Sequence, residues 1–143
     1  MATSLSAPEK YSVLVVDDDI SFLTTVERVL SDDVEVTTAT SAHEALDLAR
    51  EHRYHVVLSD WAMPGMDGRT LLRRISQMPY PVSCLLLTGS DRFNRSKDDD
   101  HQYVLRKPFD PERLLTLVLQ LARVAQMRRS VEHLGTSLER KPR

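Results

Sequence analysis

Two rhythms of apolar residues alternate along the chain. Near-continuous runs (Val13 to Val16, Val56 to Leu58, Leu85 to Leu87) have the character of strands covered on both faces, as in a parallel sheet. Between them, Ile20, Leu23, Val26, Val29 and Leu30, then Ala42, Ala45, Leu46 and Ala49, then Leu71, Leu72 and Ile75 recur three and four residues apart, which predicts helices with one apolar face. Turn and polar residues between these patterns place strands over residues 11–17, 34–39, 54–60, 82–88 and 102–106. Ser41 with Glu44 three residues on marks a helix start, and Asp110 before Pro111 marks another, opening a final helix that runs to about residue 138. Residues 91–101 hold one large apolar side chain, Phe93, and the acidic run Asp98, Asp99 and Asp100, so a fourth helix there is expected to be short or frayed. Strands alternating with helices of this length imply an α/β fold, a doubly wound five-stranded parallel sheet, with an extended C-terminal helix.

Composition changes this picture little. With 143 residues, 41% hydrophobic and 28% charged, the chain suits one compact domain, and a net charge of -2 gives no pull toward nucleic acid or anionic membrane. Residues 1–9 are small and polar and predict a disordered leader; neither a signal peptide nor a membrane span is legible, so a cytoplasmic location is expected. The single cysteine, Cys84, lies in an apolar run and is expected to be a buried thiol rather than a metal ligand. His43, His52, His55, His101 and His133 lack ligand spacing and are expected at surface or structural positions. Arg128, Arg129, Arg140, Lys141 and Arg143 make the tail basic, which an exposed helix face explains.

The candidate chemistry lies at strand ends. In an open parallel sheet ligands bind beyond the carboxyl ends of the strands, and there stand Asp17 and Asp18, Asp60, Thr88 and Lys107. Three converging carboxylates repel one another unless a cation neutralises them, and an all-oxygen set suits Mg²⁺. A carboxylate attacking a phosphoryl group needs the donor's oxygens neutralised, which a metal, a lysine and a hydroxyl do together, with Asp60 as nucleophile. Asp19 suits the N-cap of the first helix, and the residues from Met63 to Gly68 suit a loop shaped by turn residues.

The segments Val13 to Asp19, Asp60 to Gly68, Leu87-Thr88-Gly89 and Lys107-Pro108-Phe109 resemble the receiver domains of two-component response regulators, over residues 11–125. The resemblance implies a flavodoxin-like receiver fold in which Asp60 is phosphorylated by a histidine kinase or phosphotransfer protein. It further implies that Asp18 binds Mg²⁺ directly, Asp17 partly through water, and the backbone carbonyl of Ala62 completes the site. Thr88 and Lys107 would hold the phosphoryl oxygens, and the Lys107-Pro108 bond would be cis. Such a domain is no enzyme beyond its own phosphorylation and dephosphorylation. Two positions depart from the family pattern: the usual aromatic three residues before the lysine is Val104, with Tyr103 beside it, and the stretch from Thr88 to Lys107 is short. An alternative is enzymatic, because residues 17–21 also fit the pattern of haloacid-dehalogenase-type phosphatases with Asp17 as nucleophile; there the acidic run would have to follow Lys107 and Asp60 would have no role. The expected division is a leader over 1–9, a receiver over 10–125, and a helical extension with basic tail over 126–143. In the final helix Val124, Met127, Val131, Leu134 and Leu138 are spaced as in a coiled-coil seam, which suggests a homodimer contact or a lever to an output partner.

Overall fold

The computed structural model describes residues 10–89 and 102–139. The expectations for the leader, for the stretch 91–101 with its weak fourth helix, and for Arg140, Lys141 and Arg143 lie outside the described residues. The elements follow in the order β1 (Ser12–Val16), α1 (Ile20–Leu30), β2 (Glu35–Ala39), α2 (Ala42–Glu51), β3 (Val56–Asp60), α3 (Gly68–Ser76), β4 (Ser83–Thr88), β5 (Gln102–Arg106) and α4 (Pro111–Glu139). The five strands form one parallel sheet in the order β2-β1-β3-β4-β5. The continuous apolar runs are explained by this arrangement, because each central strand buries both its faces. On one face Val13, Val15, Val56, Leu58, Leu85 and Leu87 meet α1 and α4; on the other, Leu14, Val16, Val57, Cys84 and Leu86 meet α2 and α3. Cys84 is fully buried, and that burial pushes its thiol up to about 12.

Polar residues at the helix starts satisfy amide groups that the helix leaves open. Asp19 caps α1 by accepting from the Ser21 and Phe22 amides at 3.0 and 3.3 Å. Ser41 Oγ accepts from the Glu44 amide at 3.2 Å, while Glu44 Oε1 takes the Thr40 amide at 2.8 Å, one residue earlier than a reciprocal capping box would have it. Asp110 Oδ1 accepts from the Glu112 amide at 3.2 Å before α4.

Helix α4 has 29 residues, about 43 Å at the α-helical rise. Leu114, Val118, Leu121, Ala122 and Ala125 seat its first half on the sheet. Beyond Ala125 the contacts become polar and reach the amino ends of the strands. Arg129 Nη2 donates to the Tyr54 carbonyl at 2.6 Å and Nε to the Pro81 carbonyl at 3.1 Å. His55, buried, accepts the Ser12 amide on Nδ1 at 3.1 Å, while its Nε2 lies 3.0 Å from Gln126 Oε1 and 3.1 Å from Arg129 Nη1. Its place is structural. The opposite face of α4 leaves Val124, Met127, Val131 and Leu134 exposed by 40, 61, 67 and 62%. Among the described residues no helix is long and apolar enough to cross a membrane.

Candidate functional site

Parallel strands end on one edge, and the order reverses between β1 and β3, which opens the crevice there. Asp17 and Asp18 follow β1, Asp60 ends β3, Thr88 ends β4 and Lys107 follows β5. Carboxylate oxygens of Asp17, Asp18 and Asp60 lie within 4.8 Å of one another, and Lys107 Nζ stands 3.0 Å from Asp60 Oδ1 and 3.9 Å from Asp17 Oδ2. The lysine is held from behind, since its amide donates to the Thr88 carbonyl at 2.8 Å, and the Lys107-Pro108 bond is cis. Thr88 itself is buried.

The three carboxylates differ in setting. Asp18 is exposed, Asp60 half-buried, and Asp17 only 2% exposed. Burial raises the Asp17 carboxyl from its ordinary 3.8 to about 6; the charges of Asp60 and Asp18 add to the rise, while the Asp19 amide, 2.9 Å from Oδ1, and Lys107 oppose it. Three carboxylates facing one ammonium leave an excess of negative charge on oxygen atoms only, and this donor set could hold a hard divalent cation. Asp17 as nucleophile fits poorly, because its carboxyl is closed in at 2% exposure.

The loop after Asp60 carries its own logic. Trp61 extends the pairing with β4 through its amide to the Leu87 carbonyl at 2.9 Å, and its carbonyl accepts the Gly68 amide at 2.9 Å. Ala62 is exposed at the loop. Gly65 has φ +77, a conformation that costs a side-chain-bearing residue. Gly68 needs space instead: a Cβ there would lie 2.9 Å from both the Asp60 carbonyl carbon and Ser59 Oγ, and nearer still to the Asp60 carbonyl oxygen. Asp67 and Gly68, turn residues by type, open α3 instead, with Asp67 as its cap, accepting from the Thr70 amide at 2.8 Å. The signal that identifies such a cap is an aspartate just ahead of the periodic apolar residues Leu71, Leu72 and Ile75. Phe22, which carries no signal in the sequence beyond its place in the apolar periodicity of α1, has its ring under Lys107 Nζ at 4.1 Å from the centroid.

Val104 and Tyr103 face opposite sides, as their adjacency in β5 requires. Val104 packs with the α2 and α3 core, whereas Tyr103 is 47% exposed and borders a cavity of about 530 Å³ shared with Val124 and Arg128 of α4.

A family model described as the response regulator receiver domain matches residues 13–119. The chain is 41% identical over 93 residues to the two-component response regulator ARR11 of Arabidopsis thaliana, covering 62% of this chain and 18% of that protein. A solved structure described as adenylate cyclase from Rhodopirellula baltica is similar at TM-score 0.81 and 28% identity, over 92% of this chain and 99% of that chain. The signal receiver domain of an HD domain-containing protein from Pseudomonas fluorescens Pf-5 is similar at TM-score 0.72 and 27% identity, over 95% and 97% of the two chains. The chain spans 18, 27 and 15% of the length of three curated relatives that it matches.

Proposed function

The chain belongs to the response regulator receiver domain family and is a phospho-accepting receiver domain, and from that premise we propose that Asp60 is its phosphoacceptor. The observation that carries the assignment is the contact of Lys107 Nζ with Asp60 Oδ1 at 3.0 Å, beside a second and third carboxylate. One Asp60 oxygen attacks phosphorus; the new O–P bond forms as the bond from phosphorus to the donor breaks, and the leaving group keeps the electron pair and takes up a proton. Mg²⁺ bound by Asp17, Asp18 and Asp60, with the Ala62 carbonyl completing the set, would neutralise the phosphoryl oxygens in transit. Lys107 and the Thr88 hydroxyl hold the same oxygens once the group has moved.

The donor in this reading is a histidine kinase, a phosphotransfer protein or a small phosphodonor in the cytoplasm. The domain catalyses only its own phosphorylation and dephosphorylation. Its body spans 10–125, and the helical extension carries the output. The exposed stripe Val124, Met127, Val131 and Leu134 has coiled-coil spacing, which supports a homodimer contact or an output partner along α4.

Intact-mass measurement after incubation with Mg²⁺ and a small acyl phosphate tests the assignment. Wild type gains one phosphoryl group and Asp60→Asn gains none, because an amide is no nucleophile; equal labelling of both would sink it.

A further inference from the structure

The Lys107 side chain is held from two sides. Asp60 and Asp17 draw its ammonium from the carboxylate side at 3.0 and 3.9 Å. From the other side the face of Phe22 approaches, with Nζ only 4.1 Å from the ring centroid. The charged nitrogen, rather than the methylene stem alone, therefore meets the negative face of the ring quadrupole. Phe22 is itself fixed twice. Its amide is bonded to the Asp19 cap at 3.3 Å, and its ring meets that of Phe109 edge to face, at 6.2 Å and 77° between planes. Phe109 stands two residues after the lysine, so one aromatic pair joins the first turn of α1 to the segment that carries Lys107.

We propose that Phe22 is a positioning residue for phosphoryl transfer, its ring face holding the Lys107 ammonium at the carboxylates. This rests on the reading of Asp60 as phosphoacceptor and goes beyond it, because Phe22 lies outside the segments that carry the family resemblance. The physical need is clear from the side chain. A lysine is a flexible point charge with many rotamers, and placing it costs entropy unless something limits its excursions. When phosphorus arrives, the ammonium must move from Asp60 Oδ1 to a phosphoryl oxygen without escaping to water. A ring face permits that lateral movement, since its attraction is broad and competes for no hydrogen-bond donor of the ammonium.

The experiment compares Phe22→Leu, which keeps an apolar side chain but removes the π face, with Phe22→Tyr, which keeps the ring. Two readouts are taken: the rate of labelling by a small acyl phosphate with Mg²⁺, and the NMR shifts of the Lys107 Cε–H and Nζ groups. In wild type the ring current moves the Lys107 resonances upfield. Phe22→Leu abolishes that displacement and slows labelling about fivefold, as expected for one partly desolvated cation–π contact. Phe22→Tyr retains the displacement and labels within about twofold of wild type. A Leu variant that labels at the wild-type rate, or a Tyr variant as slow as the Leu variant, overturns the proposal in favour of plain packing. Lys107 resonances without upfield displacement in wild type also overturn it. If wild type takes no phosphoryl group, the phosphoacceptor reading fails by itself, and the NMR comparison still decides whether Phe22 holds the ammonium.

Discussion

Gly68→Ala isolates the fit between α3 and the phosphoacceptor strand. The added Cβ would lie 2.9 Å from the Asp60 carbonyl carbon and from Ser59 Oγ, and nearer still to the Asp60 carbonyl oxygen, where ordinary contact begins near 3.4 Å. At least half an ångström must open on each contact, and the main obstacle is backbone in the central sheet rather than the end of a flexible side chain. The start of α3 cannot swing aside freely, because the Gly68 amide is bonded to the Trp61 carbonyl at 2.9 Å and Asp67 caps the helix. Overpacking of this kind costs about 1–3 kcal/mol, and the rigidity of both partners places this site toward the upper end. The better helix propensity of alanine returns up to about 1 kcal/mol, leaving a net loss of about 2 kcal/mol. The same displacement moves Asp60 relative to Lys107, so labelling by a phosphodonor falls by roughly tenfold to a hundredfold. Gly65→Ala is the control: nothing lies within 4 Å of its Cβ, and the cost is the left-handed conformation alone, about 1 kcal/mol, with Asp60 undisturbed. Urea unfolding gives the stabilities and intact mass gives the labelling rates. A Gly68→Ala protein as stable and as quickly labelled as wild type, or less affected than Gly65→Ala, would refute the reasoning.

Three other outcomes follow from the geometry. Arg129→Met leaves the Tyr54 and Pro81 carbonyls without their donor and costs about 1–2 kcal/mol, with faster amide exchange confined to α4 beyond Ala125; unchanged exchange there would show that the arginine does not anchor the extension. In metal-free protein the two shifted groups have opposite signs. Asp17, raised to about 6, binds more protons folded than unfolded, so its contribution declines as pH rises from about 4 to about 6. His55, lowered from 6.5 chiefly by burial and also by the Arg129 charge, binds fewer protons folded, so its contribution is lost as pH falls below 6.5. Stability curves of Asp17→Asn and His55→Gln against wild type should therefore diverge in opposite directions below pH 6.5, and parallel curves would contradict the assignment. Finally, Val131→Glu should convert a dimer to a monomer in light scattering; monomers in both proteins at high concentration, phosphorylated or not, would remove the dimer from the reading of α4.

Much of this architecture was legible in the order of residues. Apolar runs too continuous for a half-exposed strand identified a parallel sheet, because only strands covered twice can afford them. In a parallel sheet every strand end points to one edge, so Asp17, Asp18, Asp60, Thr88 and Lys107 could be placed together from strand boundaries alone. The caps Asp19, Ser41 and Asp110 were legible for a local reason: a cap bonds amides two or three residues away. Gly68 was not, since its need for hydrogen in place of Cβ arises from the Asp60 carbonyl, which chain order does not place against it. Nor was the hold of Phe22 on Lys107, a contact across 85 positions of chain that exists only because α1 and the end of β5 meet above the sheet. The same holds for Arg129: in sequence it is one of several basic residues in the tail, and only the packing of Ala125 against the domain turns it toward the carbonyls of Tyr54 and Pro81. Periodicity and capping are local and can be read from neighbours, whereas the identity of a partner across the fold is decided by how the helices seat on the sheet.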